Sequence, residues 1–324
     1  MGTNDKWIEL MKDFSNSTIA YLGPRGTFTE EALRSQPDLA RAQLIPYPSF
    51  SAIMEAVDQR KVDYAFVAIE NSIEGTVSAT IDPLVFDYDL FVLREVVLDI
   101  HLDLMVKPGT QMGQIRKVLS YSHALAQCRA FMSDNLPNAE AITTNSTSDA
   151  AKTVADSSDP TLAALAPSVS AGLYNLEILK EHVEDHLGNQ TRFFLLNKDH
   201  IAPRTGHDKT TVVCFQISDR PGSLISILAQ FSARNINLTK LESRPSKAAL
   251  GQYCFVIDLE GHIEDPIVAD TLAELHRSLP KIKLIGSYPV ASTHNPKKAG
   301  DLKERSIKAE TWLGELLSRI DRLV

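Results

Sequence analysis

The sequence predicts an α/β protein with two α/β lobes and a separate, smaller α+β unit. Short apolar runs alternate with helical segments from Thr18 onward, and a second set of such units begins near Val92. Residues 210–290 instead form one compact β-α-β-β-α-β pattern, which predicts the smaller unit. Two lobes with a segment that crosses back imply a cleft, the usual place for a ligand.

Composition and charge limit the classes of function. The 324 residues are 44% apolar and 23% charged, which is ordinary globular usage. The net charge of -8 argues against a general nucleic-acid or anionic-membrane partner. Three widely spaced cysteines (Cys128, Cys214 and Cys254) predict reduced thiols in a cytoplasmic protein, and the histidines form no metal-binding motif. We expect no metal, no signal peptide and no transmembrane span.

The chain begins with a predicted amphipathic helix over residues 1–17. Trp7, Leu10, Met11 and Phe14 follow the i, i+3, i+4, i+7 spacing of one helix face. We expect this face to pack on the body of the protein or on a partner subunit.

A strand, a glycine turn and a capped helix come next. Thr18 to Leu22 is the predicted strand, and Thr27 with Glu30 forms a capping box that opens the helix. Free amides at a helix start, with Gly26 allowing close approach, are a natural anion site. A capped helix after a turn also needs no ligand, so the motif alone leaves both interpretations open.

Polar residues follow the third predicted strand. Strands are predicted at Leu44–Ile45 and Asp63–Ile69, with a helix from Phe50 to Val57 between them. The run from Glu70 to Val77 then precedes a helix expected to begin at about Thr76. Ligands in open α/β sheets gather at the carboxyl ends of strands, so this run favours a functional role.

The second lobe repeats the pattern. Residues 92–106 are predicted to be extended, 118–121 and 162–166 to be strands, and 123–132 to be a helix. Ser122 and His123 lie at the junction between strand and helix. His123 is either an acid or ligand, or a helix cap on the surface.

A glycine-bounded turn then introduces a hydroxyl and a guanidinium into a buried strand. Thr191 and Arg192 precede the apolar run from Phe193 to Leu196. This pair suits a substrate that has a carboxylate to clamp and an oxygen to protonate. The alternative is an ordinary strand start, with a locally bonded threonine and a surface ion pair.

The smaller unit is predicted to be a binding module. A linker over 198–209 leads to strands at 210–217, 236–241, 253–259 and 282–288 and to helices starting near Leu224 and Ile267. The unit contains no nucleophile–base pair in its sequence pattern. Residues 291–301 are a polar linker, and an amphipathic helix from Trp312 to Leu323 is expected to dock on the body or on another subunit.

Four blocks of the sequence stand in a characteristic order and spacing: Tyr21–Phe28 with Ala32, Ile69–Gly75, Asn189–Phe193 and Leu238–Pro245. Together they resemble prephenate dehydratase with a C-terminal ACT regulatory domain, and their order and spacing make the resemblance specific. It covers roughly residues 18–290. The resemblance implies a two-lobed, periplasmic-binding-protein-like catalytic domain over 18–198, a linker over 199–209, a ferredoxin-like α+β ACT domain over 210–290 and a C-terminal extension over 291–324.

Two places depart from the family pattern. The segment beginning Ser122-His123 is two residues shorter than usual, and Pro167 stands where a small polar residue is common. The role of Ser122 and His123 is therefore left open, and no site residue is assigned near Pro167.

The resemblance implies the conversion of prephenate to phenylpyruvate, with loss of water and carbon dioxide and without a cofactor. Thr191 is implied as the catalytic residue, through a hydrogen bond to the leaving oxygen. Arg192 either binds a substrate carboxylate or forms a structural bridge between the lobes. Glu74 is expected to assist proton transfer. The implied substrate-binding residues are Gly26, Thr27, Phe28, Asn71, Ser72, Glu74, Gln190, Arg192 and Phe193.

The resemblance also implies feedback inhibition by L-phenylalanine, bound at a subunit interface of a homodimer or homotetramer. The implied effector residues are Gly222, Ser223, Leu224, Ile225, Asn235, Asn237, Leu238, Glu242, Ser243, Arg244 and Pro245. Two alternatives are an arogenate dehydratase, since the motifs do not separate the two substrates, and a non-catalytic amino-acid sensor.

Overall fold

The computed structural model describes residues 13–186, 188–216, 220–247, 252–291, 308 and 311–318. The chain divides into two compact units, at residues 1–200 and 201–324. In the described part of the chain, no helix is long and apolar enough to cross a membrane.

The first lobe is built on a mixed sheet. Its elements in chain order are β1 (Thr18–Leu22), α1 (Phe28–Arg34), β2 (Gln43–Tyr47), α2 (Phe50–Asp58), β3 (Tyr64–Asn71), β4 (Gly75–Thr76), α3 (Ser78–Phe86) and β5 (Phe91–Asp99).

The second lobe is built on a separate five-stranded sheet. Its elements are β6 (Asp103–Val106), β7 (Lys117–Ser120), α4 (Ser122–Gln127), α5 (Arg129–Asn135), β8 (Glu140–Thr143), α6 (Thr147–Asp156), β9 (Leu162–Ala166), α7 (Ser168–Tyr174) and β10 (Glu177–Lys180). The strand order is β10-β6-β9-β7-β8. Strands β7, β8 and β9 are parallel, so their carboxyl ends share one edge.

The chain returns to the first sheet through β11 (Gln190–Asn197), which completes the strand order β2-β1-β3-β11-β5. Strand β1 runs parallel to β3, and β11 runs antiparallel to β3. The carboxyl ends of β1 and β3 and the beginning of β11 therefore lie at the same edge. Tyr21, Phe66 and Phe193 are buried in the core of this lobe.

The second unit is a four-stranded antiparallel sheet with two helices. Its elements are β12 (Asp208–Phe215), α8 (Ser223–Ser232), β13 (Leu238–Pro245), β14 (Tyr253–Glu260), α9 (Pro266–Ser278) and β15 (Lys281–Pro289). The strand order β13-β14-β12-β15 places β13 at an edge of the sheet. Ile227 and Phe231 of α8 and Val268 and Leu275 of α9 face the core.

The predicted fold class, two α/β lobes with a ferredoxin-like unit, is confirmed. Several details differ from the prediction. The extended segment 92–106 is two strands, β5 and β6, in different sheets, and Glu242–Pro245 belongs to strand β13. The polar residues Glu70 and Asn71 belong to β3, and the next helix begins at Ser78.

The helix predicted over 123–132 is in fact two helices that meet at the buried residue Cys128. Asp185 explains the break, because its carboxylate accepts hydrogen bonds from the amides of Ala130 at 2.8 Å and Phe131 at 3.0 Å. These are free amides of a new helix start, and a carboxylate caps them from another part of the chain.

The two terminal helices were both predicted from apolar spacing. Residues 1–12 lie outside the described residues, while Phe14 is buried in the first lobe. At the other end, residues 311–317 are helical, with Trp312, Leu313, Leu316 and Leu317 exposed, and Ile320 and Leu323 lie outside the described residues. The docking of this helix stays a prediction.

Candidate active site

The candidate site lies where the two sheet edges of the first unit approach each other. From the first lobe come the loop after β1, the end of β3 and the start of β11. From the second lobe come the residues after β7 and the starts of α6 and α7. Side chains bridge the lobes at several points, so this edge of each sheet forms a wall of one cleft.

Asn71 organises the polar side chains at the centre. Its Nδ2 donates to Oδ1 of Asn189 at 2.7 Å, to Oγ1 of Thr191 at 2.9 Å and to the carbonyl of Gln190 at 3.2 Å. Thr191 lies directly opposite Asn71 in the β3–β11 register.

The other end of the Asn71 amide fixes its orientation. Oδ1 accepts from the amides of Ile73 at 2.9 Å and Glu74 at 3.0 Å. Because the oxygen is committed to these donors, the nitrogen must face Thr191 as a donor.

The Thr191 hydroxyl therefore accepts a hydrogen bond from Asn71, and its own proton is available for donation. A hydroxyl has one donor and two acceptor positions, and Asn71 fills an acceptor position. Among the described residues, none accepts the Thr191 hydroxyl proton. Thr191 is only 9% exposed, so this donor is held at the base of the site. The arrangement can donate a hydrogen bond to an oxygen that leaves a bound molecule.

Glu74 and His123 form a pair across the cleft. The Glu74 carboxylate contacts Nδ1 of His123, and both side chains are substantially exposed, at 40% and 53%. The His123 ring also stacks on Tyr121, with centroids 5.4 Å apart. Glu74 follows β3 of one lobe and His123 begins α4 of the other, so the pair joins the lobes at the solvent side of the site.

The loop after β1 is fastened to the second lobe through its carbonyls. Ser148 and Tyr174 donate to the carbonyl of Arg25, the latter at 3.1 Å, and Ser170 donates to the carbonyl of Gly26 at 2.7 Å. Gly26 has a φ of +82°, and an added Cβ would lie 2.8 Å from Oγ of both serines. Glycine is required here by backbone conformation and by close approach.

The amide of Gly26, expected in an anion site, is used inside the chain. It donates to Oε2 of Glu30 at 2.7 Å, and the Thr27 hydroxyl caps α1 by accepting from the Glu30 amide. The predicted cap at Thr27 is confirmed, but the reciprocal half of the capping box is absent, because the Glu30 carboxylate accepts from the Gly26 amide and not from the Thr27 amide. The Gly26 amide is therefore not available to substrate in this arrangement.

Glu30 is a buried carboxylate with several donors. Burial raises its pKa, but hydrogen bonds from Gly26, Arg34 and Tyr21 outweigh burial and leave the pKa below its ordinary value. Burial and the neighbouring Glu30 charge raise the pKa of the Tyr21 hydroxyl. This network braces α1 against β1, which makes its role structural.

The two aromatic residues assigned to substrate differ in burial. Phe193 is 1% exposed and stacks on Phe66 with ring centroids 5.1 Å apart, so its ring cannot line an open pocket and its assignment is corrected. Phe28 is half-buried and packs against the hydrophobic core of the second lobe. Its assignment to substrate stays a prediction.

Arg192 points away from Thr191, because neighbouring side chains on a strand face opposite sides. Its Nε lies 2.5 Å from Oε2 of Glu95, its Nη1 lies 3.5 Å from Oε2 of Glu70, and the guanidinium stacks 4.8 Å from the Phe194 ring centre. Glu95 is almost fully buried. The geometry therefore favours the structural alternative for Arg192 over the carboxylate clamp.

Ser72 and Gln190 connect the polar loops. Ser72 Oγ accepts from the Gln190 amide at 2.9 Å, and the Gln190 side chain donates to Asp99 at 2.7 Å. Both residues are exposed at the edge of the site, so their assignment to substrate stays a prediction, as does that of Thr27.

Seven of the eleven predicted effector residues fall into two groups near the ends of α8, and the other four lie on β13. Gly222, at φ +86°, and Ser223–Ile225 are at the start of α8, whereas Asn235, Asn237 and Leu238 come after its end. A ten-residue helix is about 15 Å long, so the two groups are far apart in one chain.

The second group lines an open pocket of about 570 Å³. Its walls include Leu228, Asn235 and Leu241. Ile225, in the first group, is 71% exposed. On the edge strand, Arg244 pairs with Glu242 at 2.5 Å, while Ser243 and Pro245 face the other way and are exposed.

The sequence did not point to several residues that build the site. Asn189 is 5% exposed and holds Asn71; it stands in the Asn189–Phe193 block of the resemblance, but it was not assigned to the site. Ser148 and Ser170 carried no motif at all, because they act on backbone carbonyls in a distant part of the chain.

Fold and site together define a two-lobed α/β cleft protein whose central groups are a hydroxyl and two carboxamides, followed in the same chain by a ferredoxin-like unit. Family models match both parts: "Prephenate dehydratase" over residues 19–201 and "ACT domain" over residues 210–277. The chain belongs to the prephenate dehydratase family.

Individual proteins of known name agree with this assignment. The chain is 40% identical over 285 residues to the prephenate dehydratase of Mycolicibacterium vanbaalenii, covering 84% of this chain and 90% of that one. It is 37% identical over 309 residues to that of Mycobacterium tuberculosis H37Rv, covering 92% and 93%. A crystal structure of prephenate dehydratase from Arthrobacter aurescens in complex with L-Phe superposes with a TM-score of 0.81, at 37% identity, covering 93% and 99%.

Proposed function

We propose that this protein is a prephenate dehydratase that converts prephenate to phenylpyruvate and that Thr191 assists departure of the ring hydroxyl. The observation that carries the proposal is the Asn71–Thr191 contact of 2.9 Å, which leaves the threonine proton free for a substrate oxygen. Family membership supports the choice of substrate.

The chemistry needs little more than a positioned donor. The bond between the ring and its carboxylate breaks, carbon dioxide leaves, and the electron pair moves into the ring. The carbon–oxygen bond of the ring hydroxyl breaks in turn, the ring becomes aromatic, and the departing oxygen leaves as water. A hydrogen bond from Thr191 stabilises the negative charge that develops on that oxygen. Solvent supplies the net proton, since threonine is too weak an acid to be its source.

Substitution of the threonine tests this role. Thr191→Val keeps the shape but removes the hydroxyl, and a hydrogen-bond donor aimed at developing negative charge contributes roughly 10²–10³-fold in rate. We expect turnover of prephenate, measured as phenylpyruvate formation, to fall by about that factor, and Thr191→Ser to retain more activity. Thr153→Val, the same exchange at an exposed position of α6, is the matched control. Near-normal turnover by Thr191→Val would remove the proposed role.

The substrate is tested in the same assay. Wild-type protein that turns over arogenate faster than prephenate would move the assignment to arogenate dehydratase. Protein inactive on both, yet able to bind L-phenylalanine, would be an amino-acid sensor.

We further propose feedback inhibition by L-phenylalanine at a site shared between two copies of the chain. The start and the end of α8, which carry the two groups of expected contacts, are separated by about 15 Å, more than one phenylalanine spans. A second copy that presents one group beside the other would complete the site. The complex of a 37% identical relative with L-Phe supports the choice of effector.

Ile225 allows a sharp test because its side chain is exposed at the start of α8. Ile225→Glu should abolish inhibition by L-phenylalanine, whereas Ile267→Glu, at an exposed isoleucine of α9, should keep it. Sedimentation with and without the amino acid should show at least a dimer when it binds. A monomer that binds one L-phenylalanine per chain would contradict the shared site. The cytoplasmic location stays a prediction from the sequence.

A further inference from the structure

Two chain crossings join the lobes of the first unit, and they meet at a cluster of titratable side chains. The first crossing runs from Asp99 at the end of β5 to Asp103 at the start of β6 and carries His101. The second crossing follows β10 and carries His182 and Glu184. None of these three residues belongs to the candidate active site.

The three side chains are close enough to share an ion. Each offers one nitrogen or oxygen atom, and these atoms lie within 4.8 Å of one another. His101 Nδ1 is 2.7 Å from Oε1 of Glu184, whose Oε2 accepts from the Leu102 amide at 2.9 Å. The His101 and His182 rings are stacked with centroids 3.9 Å apart.

The surroundings of the cluster are acidic. Asp103, 3% exposed, accepts from the His182 amide at 3.0 Å, and the Glu184 carboxylate lies 2.7 Å from Nδ1 of His101. Two carboxyl groups therefore lie beside the two histidines, and a cation would offset their negative charge.

We propose that His101, His182 and Glu184 bind a divalent transition-metal ion, represented by Zn²⁺, at the junction of the two crossings. Two imidazoles and one carboxylate are a donor set that suits zinc and its first-row neighbours, with water completing the coordination. The Leu102 amide holds the Glu184 carboxylate in place, as outer contacts do at metal sites.

Binding requires a small and local rearrangement. Ligand atoms about 2.0–2.1 Å from a tetrahedral zinc are roughly 3.4 Å apart, closer than the present limit of 4.8 Å. The two rings lie nearly parallel, so their in-plane lone pairs do not converge. His182 is exposed, and rotation of its ring out of the stack brings its nitrogen to the ion.

A bound ion at this position would affect how the two lobes move relative to each other. Its ligands come from both crossings, so the bound ion links two segments that must bend together when the angle between the lobes changes. We expect the occupied site to resist such bending and to raise the thermal stability of the first unit.

Cobalt(II) is the probe for this site, because its visible absorption reports a nitrogen- and oxygen-bound ion at low coordination number. Titration of the untagged full chain with Co²⁺ at neutral pH should give a saturable signal at one equivalent, displaced by Zn²⁺. His182→Gln and His101→Ala should each weaken binding by at least about tenfold, given that even outer contacts contribute 10–100-fold.

His276→Ala, which removes an exposed histidine of α9, is the control and should bind like wild type. His182→Gln replaces an exposed side chain and tests the ligand even if His101→Ala fails to fold. A wild-type chain without a saturable signal, or equal binding by His182→Gln and wild type, would overturn the proposal. The spectrum does not depend on turnover of prephenate, so its result is separate from that of the proposed reaction.

Discussion

Asn71→Asp reverses the direction of one hydrogen bond and leaves the shape of the side chain almost unchanged. In the wild type, Nδ2 of Asn71 donates to Oγ1 of Thr191 at 2.9 Å. A carboxylate oxygen at that place accepts instead, so the Thr191 proton turns toward the new carboxylate and away from the substrate. The other oxygen still accepts from the amides of Ile73 and Glu74, which preserves the turn.

The size of the effect follows from the bond that must be broken. A hydrogen bond to a charged group contributes about 1.5–3 kcal/mol, and Thr191 must give it up before it can donate to the leaving oxygen. Since about 1.36 kcal/mol is tenfold in rate, kcat should fall by roughly 10- to 150-fold. KM should rise too, because the new charge repels a dianionic substrate.

Asn71→Ala separates this explanation from a simpler one. It releases the Thr191 proton but removes the acceptor that holds the amides of Ile73 and Glu74. If proton direction controls the rate, Asn71→Asp is the slower variant, and if the turn controls it, Asn71→Ala is slower. The assay is kcat for phenylpyruvate formation at saturating prephenate, with folding checked by circular dichroism. A higher kcat for Asn71→Asp than for Asn71→Ala would refute the reasoning.

Three further variants test the framework of the site. Gly26→Ala should lower the free energy of unfolding by about 2 kcal/mol or more, because φ is +82° and the added Cβ meets Ser148 at 2.8 Å; a loss below about 0.5 kcal/mol in urea unfolding would contradict this. The pKa of Glu30 is lowered in the folded protein, so the Glu30 carboxylate stabilises the fold above the ordinary pKa of 4.5, and this stabilisation is lost as pH falls through the folded pKa. Glu30→Gln should therefore make the free energy of unfolding fall less steeply at acidic pH. Parallel plots of this free energy against pH for the two proteins would exclude the role. Arg192→Met should cost about 3–5 kcal/mol because it breaks the buried ion pair with Glu95, and adding Glu95→Leu should recover part of the loss; no recovery in the double variant would argue against the pair.

Local sequence patterns predicted the strands, helices and caps because these depend on interactions between residues that are close in sequence. The strand Thr18–Leu22 and the cap at Thr27 depend on neighbours only a few residues away, and the structure has both. Strand patterns also placed Asn71 at the end of one strand and Thr191 at the start of another, but their contact at 2.9 Å was visible only in the structure.

Contacts between distant segments could not be predicted in this way. Phe193 has the sequence signature of a pocket residue, but its partner is Phe66, far earlier in the chain, and the stack is a core contact. The break at Cys128 depends on Asp185, which caps the second helix from the returning crossing. The alternative roles of Arg192 were equal on sequence alone, and only the position of Glu95 separates them.

The central trio of Asn71, Asn189 and Thr191 is made of two carboxamides and one alcohol. Such groups keep the same protonation at physiological pH, so the donor proposed for the leaving oxygen depends on its position and not on its acidity. A rate that depends on this trio alone would stay level as the surrounding medium becomes more acidic or more alkaline. In the proposed mechanism, the reaction is then assisted by a hydrogen-bond donor that does not ionise.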